Sequence, residues 1–323
     1  MKKTFSLIIT LYFLFQFTSY AYSQNLGRYT SEIDRNSLEG YLTFLADDIT
    51  FGRGIGTTGH QIAGTMIREE FKKFGLIPFY DQTFTQSFYK NLSDLKDTVI
   101  GRNIIGVVQA QYYSDQYLVV SAHYDHLGVL GGRIYNGADD NASGVAALLN
   151  LARLFSEMRA VKEGPRINII FAAFDGKESN MAGSEDFIRR LPIPEKNILC
   201  NINIDQIGSI FAPPGADTNY VLVLGTNRYK DFRRKIDSAN RINNLKMDVN
   251  YDFYGSPEFA EIFYKSSDQY SFVKKGIPSL LVTSGIHMHT YKPTDDFYFI
   301  NYPVLANRTR LIFYLINAIT TSR

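Results

Sequence analysis

In Ala122-His123-Tyr124-Asp125-His126, a histidine and a carboxylate stand two residues apart at the end of an apolar run that reads as a strand. On an extended chain His123 and Asp125 therefore share a face. A carboxylate neighbour orients an imidazole and strengthens it as a metal ligand. His126 falls on the opposite face by the same alternation and is given no role. Next, Gly137-Ala138-Asp139-Asp140-Asn141-Ala142-Ser143-Gly144 sets paired acids in a glycine-bracketed turn that opens a helix. Acids at that position can simply cap the helix and meet its dipole. Asp140 does not stand alone, however, because two other apolar runs also end in acids. Residues 167–174 close in Asp175-Gly176-Lys177-Glu178, and residues 198–204 close in Asp205. One imidazole and several carboxylates on one edge suit zinc, and a carboxylate shared by two ions accounts for an Asp on a turn of its own. His287 and His289, in Ser284-Gly285-Ile286-His287-Met288-His289-Thr290, are further candidate ligands.

Bringing these residues together requires a particular arrangement of elements. Apolar spacing predicts helices over 37–45, 61–74, 143–155, 181–190, 229–239 and 303–319. Runs rich in β-branched residues predict strands over 103–108, 117–121, 167–174, 198–204, 220–224 and 278–282. The stretch 52–59, rich in Gly and Thr, must be a loop. Strands alternating with helices mean a single α/β domain whose central sheet is mostly parallel and flanked by helices. In such sheets ligand sites gather beyond the carboxyl ends of the strands, where His123, Glu178 and Asp205 fall.

Composition excludes several classes. With 45% apolar and 20% charged residues among 323, the chain is neither disordered nor collagen-like. A formal charge of +2 and the lack of a Lys/Arg-rich run that would act as a phosphate-binding stripe argue against nucleic acid as a partner. The lone Cys200 has no partner for an internal disulfide. Lys2 and Lys3, an apolar run over 5–17 and Ala21-Tyr22-Ser23 form the three-part pattern of a secretory signal peptide. Cleavage after residue 23 would leave a domain over 24–323, exported to the periplasm or secreted and without stable membrane insertion.

Val119-Val120-Ser121-Ala122-His123-Tyr124-Asp125-His126-Leu127-Gly128, followed by the Gly137–Gly144 string, resembles the secreted dizinc aminopeptidases of metallopeptidase family twenty-eight, whose relatives include glutamate carboxypeptidases and glutaminyl cyclases. The resemblance extends through Gly183-Ser184, 203–208, Ser267-Asp268 and 276–278. It implies a phosphorylase/hydrolase-like zinc exopeptidase fold, a peptide substrate and two zinc ions. His123 and Asp205 would bind one ion, Glu178 and a late histidine the other, and Asp140 would bridge them. Asp125 would orient His123. The implied activity is that of an exported aminopeptidase or dipeptidase, with glutaminyl cyclase ranked lower because the Asp-Asp turn is kept in dizinc form.

The chain departs from this pattern in three places. Where the family has a general-base carboxylate before its ligand, this chain has Lys177 before Glu178, which lowers the expected turnover and raises the alternative of a catalytically impaired metal-binding or peptide-binding relative. Aligned without a gap, Tyr291 takes the place of the late histidine; a small insertion would bring His289, preferred over His287, into reach. Gln269 replaces a frequent histidine, a change expected in the pocket. Tyr254, Phe259, Phe263, Tyr270 and Phe272 are expected to line an apolar pocket or to join the core, and residues 52–58 to form a wall of the cleft.

Overall fold

Strands β7 (Asn168–Phe174) and β4 (Tyr117–His123) are buried along almost their whole length, as the unbroken apolar runs require. The computed structural model describes residues 26–80, 82–91, 98–211, 217–253 and 255–321, so the expected signal peptide over 1–23 lies outside the described residues. Around these two strands a nine-stranded sheet forms in the order β1–β3–β7–β4–β8–β11–β9–β10, with β2 also paired to β3. The other members are β1 (Ile77–Pro78), β2 (Thr85–Asn91), β3 (Thr98–Val108), β8 (Ile198–Ile204), β9 (Tyr220–Leu224), β10 (Asp248–Asn250) and β11 (Ser279–Thr283). A separate two-stranded ribbon, β5 (Gly128–Leu130) and β6 (Arg133–Tyr135), follows β4.

The centre β7–β4–β8–β11 is parallel, whereas β3 runs antiparallel to β7 and β9 antiparallel to β11. Register sets the chemistry. His123 lies opposite Phe174 on β7, and Ser121 opposite Asn203 on β8. The residues that follow β7 and β8 therefore emerge beside His123 at one edge.

Both faces of the sheet are covered. Ile169, Phe171 and Ala173 of β7 join one core with Leu38 and Leu42 of α1 (Arg35–Leu45), Ile67 and Phe71 of α2 (Thr58–Lys73), Leu148 and Phe155 of α3 (Gly144–Ala160), Ile236 of α5 (Lys230–Ile242) and Phe313 of α8 (Tyr302–Thr321). Ile170, Ala172 and Phe174 point the other way, onto Phe187 of α4 (Ala182–Arg189) and Phe272 of α7 (Gln269–Val273). This alternation within a fully apolar strand is the period-two rule acting between two cores. The expected helices and strands form with ends shifted by a few residues. The edge strands β1 and β10, the ribbon and α7 were not anticipated, being too brief to carry a period, and neither were the longer β2 and helix α6 (Pro257–Tyr264), whose sequences mix polar with apolar residues.

Candidate metal centre

His123 ends β4 and is fully buried. Its Nδ1–H donates to the backbone carbonyl of Asp125 at 3.0 Å. A carbonyl can only accept, so Nδ1 carries a proton and Nε2 is the nitrogen left to coordinate, where a metal ion would displace the proton that the carboxylates favour. Nε2 lies 3.3 Å from Asp140 Oδ1 and 3.3 Å from Asp205 Oδ1. Burial and the Lys177 charge pull the His123 pKa down, yet Asp205, Asp125 and Asp140 outweigh them and hold it well above the ordinary value.

Asp125 does more than the sequence suggested. Its carboxylate is 3.7 Å from His123 Nδ1, beyond a hydrogen bond, and it is the Asp125 backbone that holds the ring. The carboxylate oxygens instead accept the backbone N–H groups of Lys177 at 3.0 Å and Glu178 at 3.1 Å. Asp125 thereby ties the β4 end to the β7 end. Burial opposes its ionisation, but His123 and these two N–H donors hold its carboxyl below the usual range.

Among the described residues, two groups offer three ligand atoms within 4.8 Å of one another: His123, Asp140 and Asp205, and His126, Asp140 and Glu178. Asp140 is common to both. It is fully buried, it precedes a cis peptide bond, and among the described residues neither of its oxygens accepts a hydrogen bond. A buried carboxylate without a hydrogen-bond donor is costly unless cations take that place; the Lys177 ammonium stands 3.6 Å from Oδ1, whereas Oδ2 faces the neutral His126 ring. The nitrogen and carboxylate donors fit zinc on this count. Asp205 is steadied from behind, since Ser267 Oγ–H donates to Oδ2 while Asn203 donates to Ser267 and accepts from Ser121.

His126, assigned no role from its spacing, belongs to the second group. β4 ends at His123, so strand alternation does not extend to residue 126. The His126 backbone N–H bonds to Arg53 at 3.2 Å, and its Nδ1 lies 4.0 Å from Asp140 Oδ2. Burial pushes its pKa down to about 3, so the imidazole is neutral and able to coordinate. Gly137 makes room for it: at φ +55°, a Cβ there would meet the His126 ring at 2.5 Å. A glycine facing the last strand residues was the available signal.

The late histidines sit elsewhere. His287 Nε2 pairs with Asp139 Oδ2 at 3.0 Å, and His289 stacks on Phe299 with its Nδ1 2.9 Å from Thr294 Oγ1. Neither belongs to either three-ligand group. Asp295 explains the register, because its carboxylate accepts the backbone N–H groups of Asp139 and Asp140 and draws the loop in behind the turn. Tyr291 faces inward instead: its hydroxyl is 3.2 Å from Lys177 Nζ and its ring stacks with His126.

Lys177 is almost fully buried, 2.8 Å from Glu178 Oε1 and 3.6 Å from Asp140 Oδ1. Burial lowers its pKa, but Asp140, Asp205 and Glu178 more than reverse that and keep the ammonium protonated. Burial, opposed by Lys177 and assisted by Asp140, pushes Glu178 up to about 7.

A cavity of about 240 Å³ opens beside Lys177 and Asp205, with Phe259, Ile262, Phe263 and Ile286 as its apolar walls. Phe259 and Phe263 thus meet the pocket expectation; Phe272 is core, Tyr270 does not line the cavity, and Tyr254 lies outside the described residues. Gln269 is buried and accepts from Asn203 at 2.9 Å, supporting β8 instead of shaping the pocket. In the glycine-rich loop, buried Arg53 donates to the carbonyls of Tyr124, Asn136 and Gly137 and so braces both ligand-bearing turns.

The sequence model described as Peptidase family M28 matches residues 103–316, a span that contains the residues of both groups. The chain belongs to peptidase family M28. It is 31% identical over 137 residues to a "Probable zinc metalloprotease" of Pyrenophora teres f. teres, covering 40% of this chain and 28% of that one. The "Alkaline phosphatase isozyme conversion protein" of Escherichia coli is 27% identical over 169 residues, 48% and 47% of the two chains. The chain thus spans less than half the length of these curated relatives. A solved Zn-dependent exopeptidase of Parabacteroides distasonis superimposes with a TM-score of 0.67 at 17% identity, covering 88% and 98%. Porphyromonas gingivalis glutaminyl cyclase gives 0.67 at 18%, covering 87% and 98%. At such identities these structures bear on the fold, which is the α/β zinc exopeptidase architecture expected.

Proposed function

We propose that the protein is an exported zinc-dependent exopeptidase, of aminopeptidase or dipeptidase type, that hydrolyses peptide bonds with metal-activated water. The observation that carries this reading is the convergence of His123 Nε2, Asp140 and Asp205, buried and pre-oriented, with Asp205 also lining a cavity that has apolar walls. When bound there, zinc supplies a Lewis acid that polarises a carbonyl and lowers the pKa of water. The chain's own residues do the rest. The Asp125 carbonyl fixes the His123 tautomer, Ser267 aims Asp205, and the Asp125 carboxylate fixes the backbone at Lys177 and Glu178. Phe259, Ile262 and Phe263 offer an apolar side chain an apolar wall to rest on. Among the described residues no helix is long and apolar enough to cross a membrane. For export, material recovered outside the cytoplasm should begin at Gln24 on N-terminal sequencing.

A second reading, a peptide-binding relative with little turnover, is favoured by one observation. Lys177 stands at the general-base position with its proton held by Glu178, and a protonated amine cannot accept a proton. The test is hydrolysis of a panel of aminoacyl and dipeptide substrates, with and without chelator, by the natural protein and Lys177→Glu. Chelator-sensitive turnover by the natural protein supports the exopeptidase. Activity present only in Lys177→Glu supports the impaired relative, and zinc binding with neither activity rejects the peptidase reading. Cyclisation of an N-terminal glutamine peptide would redirect it to cyclase chemistry.

A further inference from the structure

We infer that Lys177 is a built-in cation that takes the place of a second metal ion, so that the protein works with one zinc, held by His123, Asp140 and Asp205. This rests on the reading above that the centre binds zinc. The two groups share Asp140 and differ in the second carboxylate, Asp205 in one and Glu178 in the other. The Lys177 ammonium is 2.8 Å from Glu178 Oε1 and 3.2 Å from the Tyr291 hydroxyl, and it lies 3.6 Å from Asp140 Oδ1, the oxygen that also faces His123. Its short contact is thus with the carboxylate that belongs to the second group alone. The side chain is buried, so water does little to screen its repulsion of a neighbouring divalent ion. In the first group no lysine or arginine contacts Asp205 among the ion pairs of the described residues, and its partners are His123 and Ser267.

Charge balance points the same way. Counted as ionised ligands, Asp140, Glu178 and Asp205 bring three negative charges and Lys177 returns one positive, which leaves the charge of a single divalent ion to be matched. The count is restricted to ligand carboxylates; Asp125 turns its oxygens to two backbone N–H groups and belongs to neither ligand group. Tyr291, where an imidazole would serve a second ion, offers Lys177 a hydroxyl, a poorer zinc ligand.

The experiment is zinc stoichiometry on the full chain, stripped with chelator and then equilibrated with zinc ions alone, read by elemental analysis. One ion per chain is expected for the natural protein and for Glu178→Gln. Lys177→Met, which keeps the bulk and removes the charge, and Lys177→Glu are expected to rise towards two. Circular dichroism checks that each variant is folded, and either Lys177 variant suffices if the other is not. Two ions in the natural protein, one ion in both folded Lys177 variants, or loss of the ion in Glu178→Gln would each overturn the inference. No zinc in the natural protein would overturn the zinc reading itself, a result separable from the count because hydrolysis plays no part in it.

Discussion

The two ligand groups that meet at Asp140 were made by different means. Two of the first group's ligands stand at neighbouring strand ends: His123 closes β4, and Asp205 follows β8 directly. Backbone register and a carbonyl–imidazole hydrogen bond fix them before any ligand arrives. The second group is built from the chain beyond its strands: His126 three residues past β4, Glu178 four past β7, and Lys177 folded in between them. Where strands set positions, the pattern expected of the family persists, and where loops set them it has been rewired. A rigid sheet edge preserves ligand geometry, whereas loop residues can exchange roles without disturbing the core.

That contrast can be broken outright. Removing a strand-end ligand, in His123→Ala or Asp205→Ala, should abolish zinc retention and take hydrolysis to background; zinc analysis beside a peptidase assay decides it. If His126→Ala does equal damage, the two groups do not differ in weight. The next largest effect is expected at the rewired group. Lys177→Glu should raise turnover by about 10²–10⁴-fold, the usual contribution of a general base, as kcat on an aminoacyl substrate would reveal. A smaller change tests the support behind the first group. Ser267→Ala leaves Asp205 Oδ2 without its hydroxyl donor and should weaken zinc binding by about 10–100-fold, measured by competition with a chromophoric chelator. The smallest concerns the cavity with apolar walls that Asp205 and Lys177 line. Phe259→Ala should reduce the preference for a leucyl over an alanyl substrate by about tenfold in kcat/KM, with zinc content unchanged.

What could be read from the residues follows the same division. The strands over 198–204 and 220–224 are found with the boundaries expected, because runs rich in β-branched and apolar residues, broken only by buried Asn201 and Asn203, leave little choice between two cores. His123, Asp140, Glu178 and Asp205 were legible as a cluster because each falls at such a run's end or opens a helix. His126 was illegible because strand alternation was carried past the residue where β4 stops. The late loop was misjudged for a different reason. Spacing alone could not reveal that Asp295 would grip the Asp139–Asp140 turn, sending Tyr291 inward and leaving His289 on Phe299. Lys177 was noticed, but its company of Glu178, Asp140 and Tyr291 depends on three segments far apart in the chain.

Arg53 carries a consequence for where this unit can be cut. The family match begins at residue 103, and every residue of the two ligand groups lies within it. Yet the guanidinium that grips the carbonyls of Tyr124, Asn136 and Gly137 comes from upstream, together with Leu38, Leu42, Ile67 and Phe71 of the core. A fragment starting at 103 would inherit all the ligands and lose the clasp that keeps their two turns side by side. The smallest autonomous module is thus longer than its recognisable signature, and grafting or trimming it should keep the segment that begins at α1.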